Sequence, residues 1–561
     1  MQRRRGQAHI APLLSRESSS PSSMGSDNEK RLNQRSFGVT HRIWLIIGLF
    51  LFLLTLTHFI VPTAQTPTYT FSSLDLVPKN YLNVSEAGPI PFDFCPAYGP
   101  GDEIGVKHGA VTLGKTRLHL GSGARIQRVL NKALTGQPVT ISILGGSISS
   151  CHGAGDDPIS PTCYPSRFFQ WWNSVFPHPA SELTNGAMRR TNSEYFAFCS
   201  THHIPDATDL VIIELDVEDR ADQETLENFE VLVRSILIRP DQPAVLLLGH
   251  FSPEIHTAYG FSGPENFHSV VAQFYDVPHI SIKPVLYTDY MRDPDSISKF
   301  YADPVLASPA GHELISEVLI AYLQSQICTA WAVATGASFD AVPARTTFDP
   351  PAADSHGLFG GVGQRKGVPE PGKEDDAAKD AKLVLPPTSN LFHPALHVPR
   401  ARIATRPNSA RPFEEVAPYC VSANDLINPL PPSLFYGSGW HAFHPTTGSN
   451  SQNTKSHYWH SSLPTSKIRV PILVGAGDVG IYYLKEPISI VGEGSAIECW
   501  VDDNTPGART IENAADVSES TAALYYIDHF VSRGSHFVEC QLMGEEGQGV
   551  PIFKIIGVFA T

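Results

Sequence analysis

The sequence has no Cys-x-x-Cys pair, and none of its eight cysteines precedes Cys95. The first absence removes the ordinary spacing of a structural zinc site. The second places Cys95, Cys151, Cys163, Cys199, Cys328, Cys420, Cys499 and Cys540 together, all beyond an apolar segment near the N-terminus. An even count confined there fits disulfides in an oxidising compartment. Cys151 and Cys163 bracket a short loop and are candidates for one staple; the pairing of the others stays open. Basic charge is also scarce, with 41 Lys and Arg against 56 Asp and Glu and a formal net charge of −15. Nucleic-acid binding needs clustered cations on phosphates, so no nucleic-acid partner is expected. No Asp-x-Asp set stands at a strand end where a glycosyltransferase would hold Mn²⁺ and a nucleotide sugar. No metal site and no cofactor motif is expected.

The basic charge that exists is concentrated at the start. Residues 1–42 hold eight Lys and Arg against three Asp and Glu, with few large apolar residues, as in a disordered cytosolic tail. Residues 43–61 then carry no formal charge over nineteen positions. At about 1.5 Å rise per residue, such a helix spans the hydrocarbon core of a bilayer. The positive-inside rule orients it as a signal anchor, with everything after it luminal or extracellular. The expectation is a single-pass type II membrane protein of the secretory pathway, in the Golgi or at the cell surface. Residues 62–90 are rich in Pro, Thr and Ser, suiting a stalk, and Asn83-Val84-Ser85 within it is a glycosylation sequon.

With 42% hydrophobic residues, most of the chain has the material for packed cores. Val139 to Leu144 is a charge-free run of aliphatic and small residues followed by Gly145-Gly146-Ser147, the pattern of a strand buried on both faces that ends in a sharp turn. Leu210 to Leu215 and Ala244 to Leu248 repeat the buried-strand pattern, with a shorter strand at 279–282. Helical stretches at 164–176, 222–238, 264–275 and from about 312 to Gln324 lie between and after them. The alternation predicts a three-layer α/β sandwich on a parallel sheet over residues 91–330. Residues 331–415 turn Pro-, Ala-, Gly- and charge-rich, as in a disordered linker. Residues 416–561 show short alternating segments with no long helix, predicting an all-β sandwich that folds on its own. Its Trp440, Trp459 and Trp500 suit core packing better than sugar stacking.

Serine hydrolysis needs an exposed nucleophile, a base and oxyanion donors. Ser147 sits at a strand's carboxyl end, where open α/β sheets bind ligands. Gly146 and Gly186 mark turns beside it, Glu218 and Asp219 follow the next strand, and Asp303 precedes the last helix. In this order, Gly146-Ser147, Asn185-Gly186-Ala187, Leu210 through Asp219 and Asp303 to His312 resemble the four blocks of the SGNH (GDSL-type) hydrolase superfamily. With the anchor and the β domain, the chain resembles fungal capsule-associated members of that superfamily. The resemblance implies a flavodoxin-like SGNH fold and esterase or O-acyl-transfer chemistry on cell-wall or capsule polysaccharide. It assigns Ser147 as nucleophile and Asp303 as the acid orienting a histidine. Two positions depart from the pattern: Glu218 replaces the oxyanion-hole Asn, and Leu306 replaces the catalytic His. His312 and His250 are the candidate substitute bases, with His152 a weaker one. The alternative is a catalytically inactive SGNH scaffold that binds glycan or a partner enzyme.

Overall fold

The computed structural model describes residues 75–83, 90–336, 398–406, 418–423, 436–443, 457–518 and 520–561, with residues 35–36, 39–40, 43, 45–52, 413 and 415. Two compact units divide at residue 72. In the first, Arg35–Ser36 pairs antiparallel with Val39–Thr40, and residues 45–52 are helical with exposed apolar side chains such as Leu45, Ile46 and Phe50. Among the described residues, no helix is long and apolar enough to cross a membrane. Most of the expected anchor after residue 52, the tail up to residue 34 and the linker from 337 to 397 lie outside the described residues.

The second unit holds the expected α/β layer structure. Its strands are β1 (Arg117–His119), β2 (Thr140–Gly145), β3 (Glu182–Asn185), β4 (Leu210–Glu214), β5 (Ala244–Gly249) and β6 (His279–Ser281), in the order β1-β6-β5-β4-β2-β3. All neighbours are parallel except β1, which runs antiparallel on the edge. Every residue of β4 and β5 is buried, which explains their uninterrupted apolar sequence.

Strand alternation assigns each side chain to a layer. Ile141, Ile143, Leu210, Ile212, Leu246 and Leu248 face one layer, made of helices α1 (Ala124–Leu134), α2 (Tyr164–Val175) and α6 (Pro309–Ala334). Leu144, Val211, Ile213, Val245 and Leu247 face the other, made of α3 (Ser193–Cys199), α4 (Gln223–Leu237) and α5 (Glu265–Tyr275). Helix α4 starts where its sequence says it should, with Asp222 accepting the Thr225 amide at 2.8 Å as an N-cap. Cys95–Cys328 ties the start of this layer structure to α6, and Cys151–Cys163 closes the loop after Ser147.

Residues from 419 onward form two packed antiparallel sheets, apart from one short parallel pairing. Lys467–Val474, Gly534–Leu542 and Ala496–Val501 are central to one sheet, and Tyr458–Ser461, Phe553–Ala560 and Val479–Pro487 to the other. Ile468, Val470, Ile481, Ile497, Val538 and Val558 fill the space between them. Trp459 and Trp500 are 5% and 6% exposed, so both pack rather than form open platforms. Cys499 pairs in register with Cys540 on the adjacent strand and is bonded to it.

The β-sandwich, expected to fold on its own, shares a disulfide and an apolar cluster with the α/β layers. Cys199 at the end of α3 is bonded to Cys420. Phe198 stacks on Phe559 at 4.2 Å, Tyr195 meets Tyr482 at 4.9 Å, and Tyr195 shares a 2.8 Å hydrogen bond with Ser422. Tyr482, Leu484, Ile556 and Phe559 belong to the same apolar cluster as α3 and α4. Part of the expected linker is ordered on α4 as well: Arg234 donates to the Pro399 carbonyl at 2.7 Å, and the Ile403 amide donates to Glu230 at 2.7 Å.

Candidate active site at the strand ends

Ser147 stands at the carboxyl end of β2, 5% exposed. The two glycines before it are there for close approach rather than for an unusual dihedral. A Cβ on Gly145 would lie 2.6 Å from the Glu214 carbonyl oxygen, and one on Gly146 would lie 2.1 Å from Glu218 Cγ. Any side chain at Gly146 would therefore displace Glu218.

Glu218 decides what Ser147 can do. Its Oε1 accepts the Ser147 backbone N–H at 2.8 Å and also accepts the Ser147 hydroxyl proton. The amide of Arg190, held at φ +53°, donates to Ser147 Oγ at 3.1 Å. In acyl transfer by a serine, the oxyanion forms against the nucleophile's own amide. That place is already taken by a carboxylate oxygen. Glu218 is half-buried as a residue with its carboxyl group enclosed; burial raises its pKa, against the opposing hydrogen bonds from Ser147 and the charge of Arg190.

The other expected oxyanion donor is also spent. The Gly186 amide donates to the Ile143 carbonyl at 3.0 Å, extending the β2–β3 ladder. Gly186 is small for another reason: a Cβ there would lie 2.0 Å from the His203 carbonyl oxygen.

Among the described residues, no histidine is hydrogen-bonded to Ser147 to complete a triad. Asp303 is exposed, and its Oδ1 accepts the amides of Val305 at 2.8 Å and Leu306 at 2.6 Å, folding its own turn instead of orienting a ring. Leu306 is buried at 9% exposure. His312 lies on α6, fully buried, where Nδ1 accepts the Tyr164 amide at 3.3 Å and the ring stacks on Tyr164. Burial and then the charges of His250 and Arg167 lower its pKa to about 3. His250 lies at the end of β5; burial lowers its pKa to about 4, against the pull of Asp216. Neither ring is hydrogen-bonded to Ser147, although a nitrogen of His250 and Nε2 of His312 lack partners. His152 pairs with Asp156 at 2.8 Å at the surface.

Asp219 belongs to a different constellation. Its Oδ1 accepts the Ser193 amide at 2.8 Å, and its Oδ2 meets His268 Nε2 at 2.8 Å. The other nitrogen of His268 meets Asp216 at 2.7 Å, and Asp216 accepts the His250 amide at 3.0 Å. Burial opposes protonation of His268, but the two carboxylates outweigh it and raise its pKa to about 9. Glu214, at the end of β4, is raised to about 8 by burial and by the charge of Asp216. The β-sandwich reaches this region through Tyr482, whose hydroxyl meets Asn192 Oδ1 at 3.1 Å. Sequence reading missed Arg190, His268, Asp216 and Tyr482. Only Asp216 carried a local signal, as part of the acidic group after β4.

No protein-family model matches the chain, and no curated protein matches it by sequence. Among solved structures, it is similar to a two-domain esterase (CEX) active on acetylated mannans, with TM-score 0.54 and 18% identity over 80% of this chain and 98% of that chain. The same esterase co-crystallised with mannopentaose gives TM-score 0.53 and 17% identity, over 80% and 97% of the two chains. The likeness is one of fold. It spans the α/β layers and the β-sandwich together, in keeping with the core and disulfide they share. Among the described residues, no cluster of His, Cys, Asp and Glu is arranged to hold a metal ion.

Proposed function

We propose that this chain is a glycan-directed SGNH-type protein of the secretory pathway whose serine centre is catalytically silent at rest. The observation that carries the reading is the double acceptance by Glu218 Oε1 of the amide and hydroxyl of Ser147. A substrate carbonyl has no free Ser147 amide to approach, and the acceptor on the hydroxyl is the same carboxylate that occupies that amide. The polysaccharide partner is supported by the resemblance to SGNH proteins of fungal capsules and by the fold shared with an esterase active on acetylated mannans. A luminal site, anchored by residues 43–61, is supported by the charge asymmetry across that segment and by four disulfides that engage every cysteine. Asn83 is exposed, as an acceptor of glycan must be.

The test is retention of polysaccharide without deacylation. The full-length chain in detergent should sediment with acetylated mannan or capsule polysaccharide and release no acetate from it. Acetate release abolished by Ser147→Ala would reverse the reading. A second reading, esterase or acyl transfer, is favoured by one observation: His250 and His312 each keep a ring nitrogen without a partner. Should the Ser147 loop shift, either ring supplies the proton acceptor, and acetate release would then vanish in His250→Ala or His312→Ala.

A further inference from the structure

Beyond the carboxyl ends of β5 and β6, with β4 between it and Ser147, lies a cavity of about 20 Å³. Asp216, His250, Glu265 and Lys283 form its polar side, and Phe251 and Phe261 its apolar side. That volume admits about one water-sized group.

The polar groups are not equally free. Lys283 is engaged by Glu265 and by the Phe261 carbonyl at 3.0 Å. Asp216 is engaged by His268 and by the His250 amide. The His250 ring is 5% exposed; the Val305 backbone is its one neighbour at hydrogen-bonding range, which leaves a ring nitrogen without a partner. His256, also lining the cavity, has an unpartnered Nδ1. Leaving such groups unpaired is costly, so the cavity is built for a polar occupant.

The neighbours define that occupant. A carboxylate or phosphate would face two carboxylates, Asp216 and Glu265. With Asp216 paired to His268 and Glu265 paired to Lys283, the lining offers no uncompensated charge to hold an ammonium either. A neutral imidazole offers one donor and one acceptor; with one side of the ring toward the Val305 backbone, the other nitrogen is left for a hydroxyl. The opening adds an apolar requirement: Phe261 is 53% exposed, braced edge-on by Tyr287 at 4.8 Å. A polar tip on a ring with an apolar face describes a neutral pyranose.

We propose that this cavity is a sugar subsite, with a pyranose hydroxyl bonded to His250 and the sugar ring lying against Phe261. The proposal rests on the glycan reading above and names where one unit of the chain is held. Mannopentaose and cellopentaose are the probes, titrated by calorimetry into the full-length chain in detergent. His250→Phe fills the cavity and Phe261→Ala removes the platform; Phe261 is exposed, so the second variant keeps the fold if the first does not. The expected result is binding of at least one probe, weakened tenfold or more in Phe261→Ala and in folded His250→Phe. Binding that is unchanged in Phe261→Ala overturns this subsite and leaves the glycan reading standing. If the wild-type chain binds neither probe, the subsite is overturned; if it also fails to retain polysaccharide, the glycan reading falls with it.

Discussion

Glu218 blocks the serine centre by occupying it, so exchanging it for a donor should open the site. In Glu218→Asn the Ser147 amide, now held at 2.8 Å by Oε1, is released. The shorter amide side chain adds a donor in place of an acceptor. Each oxyanion donor is worth about 10² to 10³ in kcat. The single substitution should therefore raise p-nitrophenyl acetate hydrolysis by about 10²-fold from a near-background rate. It leaves Ser147 without a base. Leu306→His places an imidazole three residues after Asp303, whose second carboxylate oxygen has no partner in the turn it caps. A general base contributes about 10² to 10⁴ more, so the double variant should exceed the wild type by about 10⁴ or more. Leu306→His alone should gain little, because the oxyanion position stays filled. The opposite sign would be decisive. If the wild type is an efficient esterase and Glu218→Asn abolishes it, Glu218 is the base that takes the Ser147 proton, and the blocking argument is wrong.

Three further outcomes follow from the packing and charge around the site. Glu214, with a folded pKa of about 8 against an ordinary value of 4.5, favours the folded state while protonated. Its contribution is present at pH 4.5 and is lost as pH rises toward 8, up to about 5 kcal/mol as an upper bound at about 1.4 kcal/mol per unit. Glu214→Gln should therefore gain in Tm over the wild type between pH 5 and pH 8.5, and a constant difference would contradict the assignment. His268, raised to about 9, stabilises fully below pH 6.5 and loses that contribution as pH rises through 9; His268→Leu leaves Asp216 and Asp219 buried and unpaired, for a loss of about 3 to 5 kcal/mol at pH 7 in urea unfolding. Breaking Cys199–Cys420 by the double change to serine should lower stability by about 2 to 5 kcal/mol and expose the Phe198–Phe559 contact to limited proteolysis.

What was legible in the sequence was what local physics controls. Buried parallel strands cannot carry charge, so β2, β4 and β5 stood out as aliphatic runs, and the sandwich strands stood out by alternation. Ser147 was legible because a strand ending in two glycines must turn sharply. The three-residue edge strand β1 is too short to show a period. The contact between α3 and the sandwich escaped notice because Phe198, Tyr195 and Cys199 read equally well as internal core. Arg190 enters the site through one amide set by a left-handed backbone, which no side-chain pattern announces. His268 lies 49 residues from Asp219, and only the packing of α5 against α4 and β5 brings them together. Gly186 shows the limit from the other side: the residue expected as an oxyanion donor is a glycine because the His203 carbonyl needs its space.

The most direct test of the silent centre is labelling of the wild-type chain with a fluorophosphonate, read by intact mass. A serine whose hydroxyl is bound to a carboxylate, and whose amide is already engaged, should not react at neutral pH while Glu218→Asn/Leu306→His reacts at Ser147. Stoichiometric labelling of the wild type that disappears in Ser147→Ala would contradict the account and establish a working esterase centre.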